Sequence, residues 1–70
     1  MRNKFAERLK ELRTEKGLSH NQLAKLTGIS ARAIGMWESK QRNPNIEAII
    51  TLTDFFNVSA DYIIGRTENC

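Results

Sequence analysis

The chain has 70 residues, a net charge of +3 and a single cysteine at its last position, Cys70. That length suits one domain near the lower limit for a core without staples, and a lone cysteine excludes an internal disulfide or a cysteine-built metal cluster. No apolar run approaches the ~18–20 residues that span a bilayer, and the first residues lack the apolar stretch of a signal peptide, so the expectation is a cytoplasmic protein of a reducing compartment.

Apolar residues recur at helical spacing throughout, with no repeat and no strand-like alternation. Phe5, Leu9 and Leu12, with Ala6, predict a first helix from about Asn3 to Lys16, stopped by Gly17. Its solvent side is expected to carry Glu7, Glu11 and Glu15 among Arg8, Lys10 and Lys16. In Leu18-Ser19-His20-Asn21-Gln22-Leu23, Ser19 is placed to cap a second helix, Gln22 completes a capping box, and Leu18 with Leu23 forms a hydrophobic staple. Thr27-Gly28 ends it, and Ile29-Ser30-Ala31-Arg32-Ala33-Ile34 repeats the staple and serine cap for a third helix. Two short helices joined by so tight a turn must cross steeply, which is helix-turn-helix geometry over about residues 19–39.

A fourth helix follows Pro44, capped by Asn45, with Ile46, Ile49, Ile50, Leu52, Phe55 and Phe56 as its apolar residues. That is more than one face needs, so this helix is expected at the centre of the bundle. Val58-Ser59-Ala60-Asp61-Tyr62-Ile63 opens a short fifth helix that stops at Gly65. The expected fold is all-α: a compact five-helix orthogonal bundle forming one domain over residues 1–70.

Charge divides along the chain. Residues up to Asn45 carry most of the lysines and arginines, whereas residues 47–70 set Arg66 against Glu47, Asp54, Asp61 and Glu68. A basic body with an acidic end fits a molecule with one face turned to a polyanion.

The helix-turn-helix pattern asks for a small residue at the closest crossing, a glycine in the turn and apolar residues facing inward. Ala24, Gly28, and Leu23, Ile29, Ile34 and Trp37 supply them. With these residues, "RLKELRTEKGLSHNQLAKLTGISARAIGMWE" and "VSADYIIGRT" resemble the lambda-repressor-like, Cro/CI-type (XRE-like) DNA-binding domain of bacterial and phage regulators, over residues 4–67. The resemblance implies five helices, the third in the DNA major groove. It implies a sequence-specific regulator of transcription of bacterial or phage origin, with a repressor as the first expectation and activator or antitoxin left open, binding double-stranded DNA as a homodimer on a partly palindromic operator. It also implies a buried ion pair between Arg13 and Glu38.

With Ile34 and Trp37 inward, Ala31, Arg32, Gly35 and Met36 turn toward the groove as candidate base contacts. Arg32 suits guanine O6 and N7, Ala31 a thymine methyl, Gly35 a close backbone approach, and Met36 a pliable apolar contact. Candidate phosphate contacts are His20 and Asn21 at the start of the second helix, Ser30 beside its cap, and the loop Lys40-Gln41-Arg42-Asn43. Two residues depart from the family pattern. His20 stands where glutamine is common, which makes that contact open to pH. Lys40 stands where glycine is common, so it either takes a left-handed conformation at a cost of ~1 kcal/mol or the turn has another shape. Phe55, Tyr62, Ile63 and Ile64 exceed what one small core obviously needs; they either meet a second copy or all belong to the core.

An enzyme is not expected, because the chain has one histidine and neither a glycine-rich phosphate loop nor paired carboxylates suited to a cleft. No metal, cofactor or small-molecule ligand is expected. The rival reading is a protein-interaction module, such as an antitoxin or accessory regulator acting through a partner. Salt-dependent affinity for duplex DNA separates the two.

Overall fold

The computed structural model describes residues 4–66 and forms them into five helices: α1 (Phe5–Glu15), α2 (His20–Thr27), α3 (Ala31–Glu38), α4 (Ile46–Phe56) and α5 (Ala60–Ile63). Cys70 and the expected helix start at Asn3 lie outside the described residues. Among the described residues there is no strand, and no helix is long and apolar enough to cross a membrane.

The starts of α2 to α5 follow from short polar side chains. Ser19 Oγ accepts from the backbone N–H of Gln22, while Gln22 Oε1 accepts from that of Ser19, completing the capping box. Ser30, Asn45 and Ser59 each accept from the N–H three residues on, at Ala33, Ala48 and Tyr62. Each cap satisfies a donor that the helix cannot, worth about 1 kcal/mol. Helix α1 differs: Lys4 makes no side-chain cap, and its backbone N–H donates to Ile64 O at 2.9 Å, so the two ends of the described chain meet.

Between α2 and α3, Gly28 takes φ +78 and returns its N–H to Ala24 O, so the chain reverses within three residues. Two further turns use left-handed residues that are not glycine. Asn57 closes α4 at φ +58, and Lys40 after α3 stands at φ +66. Of the two outcomes open for Lys40, the left-handed one is adopted.

The core gathers where α1, α2 and α3 meet. Leu9, Leu23, Ile34, Leu52 and Ile63 have no exposed surface. Phe5 and Trp37 pack edge to face at 5.9 Å, joining α1 to α3. Two expectations are corrected. Helix α4 is not central: it buries Ala48, Leu52 and Phe56 along one stripe, while Ile46 and Ile50, on its other side, are 73% and 54% exposed. Arg8 is not a solvent charge: it is buried, with its guanidinium 4.4 Å above the ring of Tyr62, where a planar cation stacks on an aromatic face.

Candidate nucleic-acid interface

Helix α3 sorts its residues by its turn of 3.6. Ile34 and Trp37 point into the core, so the helix presents Ala31, Arg32, Gly35 and Met36 outward, Arg32 exposed and the other three partly covered. Gly35 is the informative member. A glycine inside a helix costs roughly 0.5–1 kcal/mol relative to alanine. Yet a Cβ built there would meet nothing closer than His20 Cε1 and Nδ1, both at 3.8 Å, an ordinary contact. Among the described residues nothing would clash with a side chain there.

Helix α2 flanks α3 with its N-terminus exposed. The backbone N–H groups of Ser19 and Gln22 are used by the capping box. Those of His20 and Asn21 have no acceptor among the described residues, leaving two oriented donors and the positive end of the helix dipole facing solvent. The His20 side chain does not follow them outward. Its Nε2 lies 3.1 Å from Glu38 Oε1, so the imidazole is tied to the last residue of α3. The expectation of a phosphate contact at this position therefore rests on the backbone N–H, with the ring nitrogen engaged inside the protein. Ser30 Oγ accepts from Ala33 N–H and keeps its own proton to donate.

The loop after α3 is wound onto the helix end. The backbone N–H of Gln41 and that of Arg42 both donate to Met36 O, at 2.9 and 3.4 Å, and Gln41 Nε2 donates to Ser39 Oγ. Lys40 Nζ reaches Glu7 Oε2 at 3.4 Å, an exposed pair that bridges to α1. A phosphate would have to draw Lys40 from Glu7, an inexpensive exchange because exposed pairs are worth under about 1 kcal/mol. Arg42 and Asn43 are exposed and edge a cleft of about 450 Å³ that also takes in Lys4, Trp37 and Lys40.

Behind the surface stands an ion pair. Arg13 Nε donates to Glu38 Oε2 at 2.7 Å and its Nη2 to Oε1 at 3.0 Å, while its Nη1 donates to Leu18 O. Side-chain exposure is 13% for Arg13 and 8% for Glu38, so the fork holds the end of α3 to α1 and to the loop before α2 largely out of water. Burial pushes the Glu38 carboxyl up, but the hydrogen bonds and charges of Arg13 and His20 outweigh it and hold the group below its ordinary value. The hydrogen bond from Arg13 to Glu38 in turn raises the guanidinium.

Of the residues considered for contact with a second copy, Ile63 is fully buried and closed to any partner. Phe55, Tyr62 and Ile64 are half-buried against the core: Tyr62 under Arg8, and Phe55 edge-on to Phe56 with Lys16 Nζ 6.0 Å from its ring. The large apolar side chains most open to solvent are Leu26, Ile46 and Ile50 instead. Sequence pattern missed them because a helical stripe shows which residues are apolar, not which of two faces finds a neighbour. The His20–Glu38 bond was equally hidden, joining residues 18 positions apart that only the α2–α3 crossing brings together.

The family described as Helix-turn-helix matches residues 9–63. The HTH-type transcriptional activator BcrR of Enterococcus faecalis is 39% identical over 64 residues, covering 91% of this chain. The chain spans only part of its curated relatives: 31% of BcrR and 50–59% of five Bacillus subtilis regulators. A transcriptional regulator from Listeria innocua superposes with a TM-score of 0.86 at 31% identity, over all of this chain and 65% of its own. The P22 c2 repressor, solved in complex with a synthetic operator, gives 0.79 at 30% identity, covering 86% of this chain and 91% of that one.

Proposed function

This chain belongs to the Helix-turn-helix family, and from that premise we infer that it binds double-stranded DNA sequence-specifically, with α3 in the major groove, to regulate transcription. The carrying observation is Gly35: a glycine where the described residues leave room for a Cβ, on the outward face of α3 between Arg32 and Met36. A backbone approaching base edges accounts for it. Likeness to the P22 c2 repressor, crystallised on an operator, supports the same reading.

In this account Arg32 reads guanine, a bidentate contact worth ~1–3 kcal/mol of discrimination. Ala31 and Met36 supply apolar contacts. The N–H groups of His20 and Asn21 hold one phosphate, and Ser30, Lys40, Gln41, Arg42 and Asn43 hold the flanking backbone. With so few polar readers, part of the specificity comes from DNA shape. The domain, taken as residues 1–70, works in the cytoplasm as a homodimer on a palindromic operator, with half-sites one helical turn, ~34 Å, apart. Repression is the regulatory sign that occupancy alone can deliver; activation needs a further surface touching the transcription machinery.

A second reading, a module that acts through a protein partner, draws on the exposed Leu26, Ile46 and Ile50. Selection of binders from a random duplex library separates the two. Enrichment of a palindrome, with Arg32→Ala relaxing the preference at one base pair in each half-site, is the expected result. No enriched sequence would overturn the DNA reading and leave the partner reading standing.

A further inference from the structure

His20 opens α2, yet its ring lies back across the helix pair. Nε2 is 3.1 Å from Glu38 Oε1, and Cε1 and Nδ1 are the atoms that would face a Cβ on Gly35. The side chain is 42% exposed, so one edge of the ring is anchored in the protein while the rest stands beside the outward surface of α3. The tight turn and the apolar packing of Leu23, Ala24 and Ile34 bring α2 and α3 together, but the hydrophobic contact is itself non-directional. The bond to Glu38 is directional. Its far end is fixed as well, because Arg13 holds the same carboxylate at both oxygens and also donates to Leu18 O.

We propose that His20 is a positioning residue for the DNA-reading surface: bonded to Glu38 and set beside Gly35, it fixes how α3 is seated against α2. This rests on the DNA-binding reading above. With its hydrogen on Nε2 the ring donates a hydrogen bond to the Glu38 carboxylate, a directional contact with a charged acceptor. The charged groups facing the ring are Glu38 from α3 and, behind it, Arg13 from α1. Among the described residues, α4 and α5 bring no charged group within 4.0 Å of it. His20 is the one histidine in the sequence.

Two substitutions separate positioning from general support of the fold. His20→Gln keeps an N–H donor of about the same reach, and His20→Ala removes the donor. In the free protein, the backbone amide NMR signals of Gly35 and Glu38 are compared among the three chains under one condition. They are expected to move in His20→Ala and to return toward their unaltered positions in His20→Gln. The three chains are then bound to the duplex that the unaltered chain enriches from a random library. His20→Ala should bind about tenfold more weakly with its circular dichroism unchanged, the order of one lost hydrogen bond to a charged group. His20→Gln should recover most of that loss. Gly35 and Glu38 amides unmoved in His20→Ala, His20→Ala binding as tightly as the unaltered chain, or no recovery in His20→Gln would overturn the proposal. If the unaltered chain enriches no duplex, the DNA-binding reading fails first and this proposal with it.

Discussion

Gly35 and Lys40 both stand where a local conformational rule is broken, and the two differ in what they are expected to reveal. At Gly35 the helix has room for a methyl group at 3.8 Å from His20. Gly35→Ala is therefore expected to raise stability by roughly 0.5–1 kcal/mol in a urea titration. The same methyl would stand between α3 and a base pair, so operator affinity should fall while stability rises. A variant that gains stability and loses no affinity would take Gly35 out of the interface. Lys40 sits at φ +66, a strained conformation for a side chain with a Cβ. Lys40→Gly should relieve about 1 kcal/mol, less a few tenths for the exposed pair with Glu7, and shift the urea midpoint upward. A downward shift would mean that the turn is held by its side chain. Arg13 carries the largest single effect. Arg13→Ala leaves the Glu38 carboxylate buried without its guanidinium partner, and is expected to cost about 3–5 kcal/mol.

Caps decide where helices begin, and they were the most legible part of this chain. Ser19, Ser30, Asn45 and Ser59 each begin a helix at the position that residue order indicates, because a cap acts over three residues and depends on nothing distant. Ser30→Ala should cost about 1 kcal/mol and fray the first turn of α3, read as faster amide exchange at Arg32 and Ala33; unchanged exchange would show the turn held by packing alone. The burial of Leu23, Ile34 and Trp37 was legible for a similar reason, through a helical period confined to one segment. What could not be read depends on which segment lies opposite. Helix α4 has apolar residues on two sides, and its neighbours cover only the side of Ala48, Leu52 and Phe56. Arg8 looked like a surface charge until the fold placed Tyr62 over it. Asn57 carries a left-handed turn that glycine carries at Gly28, an ability its short polar side chain confers without marking it in the sequence. Lys40 and His20 were flagged as departures from a family pattern, but only the three-dimensional arrangement shows Lys40 paired with Glu7 and His20 with Glu38.

The whole molecule couples its stability to its charges at acid pH. Glu38 lies below its ordinary value near 4.5 in the fold, so the unfolded chain takes up a proton first as pH falls. The stabilisation from its ion pair is complete above that ordinary value and is lost as pH drops through the lower, folded one. Thermal unfolding should show a falling midpoint below about pH 4.5 that Glu38→Gln flattens; an acid limb unchanged by that substitution would mean that other carboxylates set it. In the proposed complex the basic groups of α3 and its following loop face the polyanion, with the acidic residues of α4 and α5 set against them. That orientation is tested most directly by the salt dependence of binding to the duplex that the chain selects. If α3 and its flanking donors lie against the DNA, the logarithm of the affinity falls linearly with the logarithm of salt concentration, with a slope of about 0.9 for each phosphate neutralised. Arg42→Ala should reduce that slope by about one per bound subunit. A selected duplex whose affinity ignores salt, or no selected duplex at all, would contradict the account.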